Sequence, residues 1–129
     1  MTRAQRLLAI DDNADSAELI ARIANKCGYD ARATTDVPAL SRIVADWMPD
    51  IITLDLCMPQ DDGIAVLSIL QEQGFSGGVM IISGQEEWLR KATGRLAAAR
   101  GLKVITDMSK PINIGELREA LTSLPAAGK

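Results

Sequence analysis

The chain has 129 residues, 47% hydrophobic and 3% aromatic, with a formal net charge of −3 and no histidine. That length fits one compact domain, and the low aromatic share makes its core aliphatic. The acidic balance argues against a nucleic-acid partner, which ordinarily needs a basic patch. No apolar run approaches the ~20 residues of a membrane span.

Met1 to Arg6 is short and polar with no signal-peptide apolar region behind it, so a cytoplasmic protein is expected. Cys27 and Cys57 do not form a disulfide framework and suit a reducing compartment. Without histidine the chain has no imidazole for general-base work or metal ligation.

Leu7–Ile10 is continuous in apolar residues and predicts a strand buried on both faces. From about Ala14 to Cys27, the residues Ala17, Leu19, Ile20, Ile23 and Ala24 recur at helical spacing, and Gly28 is placed to end that helix. Tyr29–Thr34 predicts a weaker strand. Asp36 is suited to cap the next helix, with Val37 and Pro38 in its first turn. Leu40, Ile43, Val44 and Trp47 make its inward stripe, and it ends before Pro49.

Ile51–Leu54 predicts a third strand. A loop from Cys57 to Gly63 leads to a helix with apolar positions Ile64, Val66, Leu67, Ile69 and Leu70. Gly74, Gly77 and Gly78 mark the next turn, and Val79–Ile82 a fourth, buried strand. Gln85 to about Arg100 predicts a helix closed by Gly101, and Leu102–Ile105 a weaker fifth strand. Lys110-Pro111 falls in a loop, and Asn113 or Ile114 opens a last helix through Leu124. Residues 1–124 are expected to form the domain and 125–129 a flexible tail.

This is an α/β chain of (βα)5 order. Right-handed crossovers put helices on both faces of a parallel sheet, and such sheets bind ligands at the carboxyl ends of their strands. Asp11 and Asp12 follow the first strand, Asp55 the third and Ser83 the fourth, while Lys110 lies a few residues after the fifth. Two unit charges about 4 Å apart repel by roughly 4 kcal/mol at an effective dielectric near 20. Three gathered carboxylates therefore call for a cation, and oxygen donors suit a hard one such as Mg2+. Read singly, Asp11 or Asp12 also suits a helix cap, Ser83 a turn or cap, and Lys110 a solvated loop.

The stretches Leu8-Ala9-Ile10-Asp11-Asp12-Asn13, Asp50 to Gly63, Ile81-Ile82-Ser83-Gly84 and Ser109-Lys110-Pro111 together resemble the receiver domain of two-component response regulators over essentially the whole chain. The resemblance implies a flavodoxin-like strand order 2-1-3-4-5. It also implies Asp55 as phosphoacceptor, and Asp11, Asp12, Asp55 and the backbone carbonyl of Cys57 as the Mg2+ site. Lys110 becomes the cation that pairs with Asp55 and then with the phosphoryl group, Ser83 the hydroxyl that bonds a phosphoryl oxygen, and the Lys110-Pro111 bond is expected cis. Met58-Pro59 and Gly63 shape the loop after Asp55.

The implied partners are a histidine kinase or histidine phosphotransfer protein, and a downstream protein effector reached through the fourth helix, fifth strand and fifth helix. A homodimer through that same face is a further expectation. The implied activity is that of a phosphoacceptor assisting its own phosphoryl transfer, not of an enzyme. A receiver module of a larger hybrid kinase or cyclic-di-GMP phosphodiesterase, or a phosphorelay intermediate, is the alternative. A hydrolase of the haloacid-dehalogenase type wants a second Asp two residues after its nucleophile, where this chain has Cys57. One departure stands out: many receivers carry Tyr or Phe three residues before the lysine, and here that residue is Asp107. It is expected either to couple to Lys110 or to stay in solvent.

Overall fold

The computed structural model describes residues 4–55, 62–84 and 86–124. Strands and helices alternate through β1 (Arg6–Ile10), α1 (Ala14–Lys26), β2 (Asp30–Thr34), α2 (Leu40–Trp47), β3 (Ile51–Leu54), α3 (Asp62–Glu72), β4 (Gly78–Ser83), α4 (Glu87–Ala99), β5 (Lys103–Ser109) and α5 (Ile114–Thr122). All strand pairs are parallel and the order is β2-β1-β3-β4-β5, as expected. The order reverses between β1 and β3, which opens a crevice at their carboxyl ends.

Period-2 alternation sorts the strands' apolar residues onto two faces. Leu8, Ile10, Ile52, Leu54, Val79 and Ile81 pack in one layer with Val44 of α2, Leu67 of α3 and Ala97 of α4. Leu7, Ala9, Ile51, Met80 and Ile82 pack in the other with Ile20 of α1 and Leu117 of α5. The continuous apolar runs of β1, β3 and β4 thus reflect burial on both sides. By contrast β2, at one edge, is largely exposed and polar.

Local chemistry sets the ends of the elements. Gly28, at φ +95, follows α1 as expected. Asn13 is the N-cap of α1 and its side chain accepts from the Ser16 N–H; Asn113 does the same for α5 through Glu116. Asp36 does not cap α2. Its Oδ1 accepts from the Ala39 N–H at 3.3 Å in a turn over residues 36–39, and the helix begins at Leu40.

The fifth strand is longer than its apolar run. It continues through Thr106 and Asp107 to Ser109 because β4 supplies a ladder that far, with Ile81 opposite Asp107 and Ser83 opposite Ser109. Lys110 consequently follows its strand directly. Cys57, Met58 and Pro59 and the tail 125–129 lie outside the described residues.

Candidate functional site

Strand register builds the site. Ile10 lies beside Leu54 and Leu54 beside Ile81, so the residues that follow β1 and β3 emerge at one edge with Ser83, the last residue of β4. Main-chain bonds hold them there: Asp55 N–H donates to Ile10 O at 3.1 Å, Asp11 N–H to Thr34 O at 3.3 Å, and Lys110 N–H to Ser83 O at 3.0 Å. The Lys110-Pro111 bond is cis.

The Lys110 ammonium lies 2.7 Å from Asp11 Oδ2 and 2.9 Å from Asp55 Oδ2. Asp11 is 1% exposed, Asp55 3% and Ser83 0%, while Asp12 is exposed. Asp11 spends its other oxygen on the Asn13 N–H at 2.9 Å, and Asn13 in turn caps α1. The helix start is therefore capped by Asn13, not by Asp11 or Asp12. An Asn three residues before Ser16 was the available signal. Likewise Ser83 ends a strand and does not cap α4, whose N-cap is Glu86 without a side-chain capping bond.

Oxygen atoms of Asp11, Asp12 and Asp55 all lie within 4.8 Å of one another. Burial, helped by the neighbouring Asp55, pushes the Asp11 carboxyl up to about 6 in spite of its hydrogen bonds to Lys110 and Asn13. For Lys110, burial alone would lower the ammonium, but hydrogen bonds to Asp11 and Asp55 outweigh it and its pKa rises. The two shifts have different origins: burial raises Asp11 against the pull of Lys110, whereas bonds to Asp11 and Asp55 raise Lys110 against burial. With Asp12 beside them, the acids outnumber the cations that pair with them among the described residues. An all-oxygen, charge-excess cluster fits a hard divalent ion and suits soft thiolate-seeking metals poorly.

Cys57, expected to lend its carbonyl, lies outside the described residues. Asp107 follows neither expectation. It faces α4, where Lys91 Nζ lies 2.8 Å from Oδ2 and Arg90 Nε 3.5 Å from Oδ1. Sequence periodicity missed these two partners, because a strand ending at Ile105 leaves Asp107 in a loop.

With this geometry in view, the comparisons with known proteins agree. Residues 7–122 match the response regulator receiver domain, and the chain belongs to that family. A crystal structure of a response regulator from Colwellia psychrerythraea superposes with a TM-score of 0.82 at 32% identity, covering 92% of this chain and 94% of that one. Sporulation initiation phosphotransferase F of Bacillus subtilis is 28% identical over 118 residues, covering 91% of this chain and 90% of its own.

A Burkholderia pseudomallei response regulator, solved with a phosphorylated aspartic acid, a calcium ion and citrate, shares the fold at 23% identity and a TM-score of 0.72, over 92% of this chain and 67% of that one. Other curated relatives are longer response regulators and transcriptional regulatory proteins, of which the chain spans half the length or less. The protein is thus a receiver domain of the two-component class, a family that works with kinases and effectors. Among the described residues, no helix is long and apolar enough to cross a membrane.

Proposed function

We propose that Asp55 accepts a phosphoryl group from a phosphohistidine on a cytoplasmic kinase or phosphotransfer protein, with Mg2+ held by Asp11, Asp12 and Asp55. A carboxylate oxygen of Asp55 attacks phosphorus, the P–N bond breaks, and the imidazole keeps the electron pair and takes up a proton. Water attack on phosphorus later frees inorganic phosphate and restores the carboxylate. Phosphoryl transfer needs in-line positioning and stabilisation of charge on the equatorial oxygens more than covalent help. When bound, Mg2+ would neutralise phosphoryl charge beside the carboxylates.

The chain's own residues do the rest. Lys110 holds Asp55 at 2.9 Å and is the ammonium nearest the arriving phosphoryl group. Ser83, at the adjoining strand end, offers a hydroxyl. The observation that carries the reading is this pairing of a buried acceptor carboxylate with a buried-side ammonium inside an acidic, all-oxygen cluster. The protein assists its own phosphorylation and dephosphorylation and does not turn over a separate substrate.

Phosphorylation adds close to two negative charges and three acceptor oxygens. Ser83 and Lys110 draw toward them, and the face of α4, β5 and α5 is repopulated for a protein effector or a second copy. A second reading has the same module serving inside a longer hybrid kinase or effector. The greater length of several relatives favours it.

Incubation with Mg2+ and acetyl phosphate, followed by intact mass, tests the acceptor. One added phosphate on wild type and none on Asp55→Asn is expected. Gain on the variant would move the acceptor elsewhere, and no gain on either would leave a docking module.

A further inference from the structure

α4 is held on the sheet differently from the other long helix. α1 buries five residues, Ile20 and Ile23 among them, whereas Ala97 alone is buried on α4. Gly94 faces the sheet without a side chain: a Cβ there would make ordinary van der Waals contact with Ile81 Cδ1 at 3.7 Å and Val104 Cγ1 at 3.9 Å, and the glycine forgoes it. Small residues give close approach but little apolar area, and the hydrophobic contribution scales with area. At its N-terminal end the cap, Glu86, makes no side-chain bond to a helix backbone N–H; its Oε2 accepts from the exposed Trp88 indole instead. Leu96 and Trp88 face solvent.

What holds the first turns is charge. The Arg90 side chain is 12% exposed and the Asp107 side chain 16%. A guanidinium removed from water to that degree needs a counter-charge, and Asp107 supplies one while also engaging Lys91 at 2.8 Å. Asp107 is paired with Ile81, two residues before Ser83, and sits three residues before Lys110. The strand that delivers Lys110 to the acidic site therefore also carries the anchor of α4.

We propose that Asp107 is the positioning residue of α4, an ion-pair latch to Arg90 and Lys91 that sets the helix on the sheet by charge where other helices use apolar burial. What the latch regulates rests on the phosphoacceptor reading, since α4 belongs to the face that reading assigns to partners. The latch itself stands without it.

Hydrogen exchange of the unmodified protein, with no metal or phosphodonor, reads α4 directly. Asp107→Asn is expected to exchange about fivefold faster over residues 87–93, with the β1 and α1 peptides unchanged. Asp107→Glu keeps most of the protection. Lys91→Gln, on an exposed side chain, gives a smaller change, and adding it to Asp107→Asn gives none beyond the single variant. Wild type in about 0.5 M salt moves toward Asp107→Asn, since the Lys91 arm is open to screening.

Wild-type protection over 87–93 in Asp107→Asn would overturn the latch, as would a uniform rise across all helices. Failure of acetyl phosphate to label Asp55 would remove the phosphoacceptor reading and leave these exchange results as they are.

Discussion

Asp55 and Lys110 are 55 positions apart in the chain, yet Lys110 Nζ and Asp55 Oδ2 lie 2.9 Å apart, with Asp11 Oδ2 2.7 Å from the same nitrogen. One ammonium thus serves two carboxylates that are both almost fully withdrawn from solvent. This shared charge governs the stability of the site as well as its chemistry.

Replacing Lys110 by Met leaves Asp11 and Asp55 facing each other uncompensated. Breaking a buried pair costs about 3 kcal/mol, and the metal-free variant should lose close to that in urea denaturation. Added Mg2+ should restore part of the loss and bind roughly tenfold more tightly than to wild type, because the ammonium no longer opposes it. A variant as stable as wild type would make Lys110 a solvated loop residue.

Asp12 separates the two roles, because it is the exposed member of the acidic group. Asp12→Asn should change unfolding stability by less than about 0.5 kcal/mol, as an exposed substitution does. The same change should weaken Mg2+ binding about tenfold, measured by titration calorimetry, because it removes one charged oxygen ligand. Undiminished Mg2+ affinity would exclude Asp12 from the ion's ligands.

Asp11 titrates near 6 in the folded protein against 3.8 for an ordinary aspartate, chiefly because it is buried. Between those values the folded state holds a proton that the unfolded chain has released. Stability contributed by this group therefore falls as pH rises from about 4 to about 6, and is flat above. Urea midpoints in EDTA should show that fall in wild type and a shallower one in Asp11→Asn. Equal slopes would place the titration elsewhere.

Thr53 lies on β3 between Ala9 and Met80, 1% exposed, and its Oγ1 has no hydrogen-bond partner among the described residues. Valine has the same shape without the hydroxyl. Thr53→Val should stabilise the protein by about 1 kcal/mol, since an unsatisfied buried group is lost and nothing is broken. Thermal unfolding of the two proteins decides it, and a destabilised variant would mean the hydroxyl has a partner.

Gly77 precedes β4 where the chain passes the carbonyl of Asp50; a Cβ there would stand 2.2 Å from Asp50 O and 2.7 Å from the Phe75 ring. The backbone atom cannot swing away as a side chain would. Gly77→Ala should cost about 2 kcal/mol by overpacking. Asp50 also accepts the Arg6 N–H at 2.8 Å, so the loss should register as earlier global unfolding. An unchanged melting temperature would show that this turn relaxes freely.

Much of the fold is legible in the sequence, and the reason lies in particular residues. The uninterrupted runs Leu7–Ile10, Ile51–Leu54 and Val79–Ile82 are strands because only a doubly covered sheet buries every side chain of such a run. Gly28 ends α1 because it takes the positive φ that other residues resist. Asp36 misled because a favoured cap residue also makes turns, and local chemistry does not choose between the two. The apolar signal of the fifth strand stops at Ile105 because Thr106 and Asp107 carry none; β4 extends the strand by main-chain bonding, which is blind to side chains.

The amino-acid order alone determined the alternation of elements and which acids and which lysine stand at strand ends, because these depend on short-range periodicity and spacing; the family was legible only as a resemblance carried by four motif stretches. Only tertiary structure decided that Asp11 is buried while Asp12 meets solvent, that one ammonium bridges Asp11 and Asp55, and that Asp107 turns to Arg90 and Lys91. Those outcomes depend on register between strands and on how a helix seats across them. A charge's partner is settled by distance through space, which the linear spacing of residues does not contain.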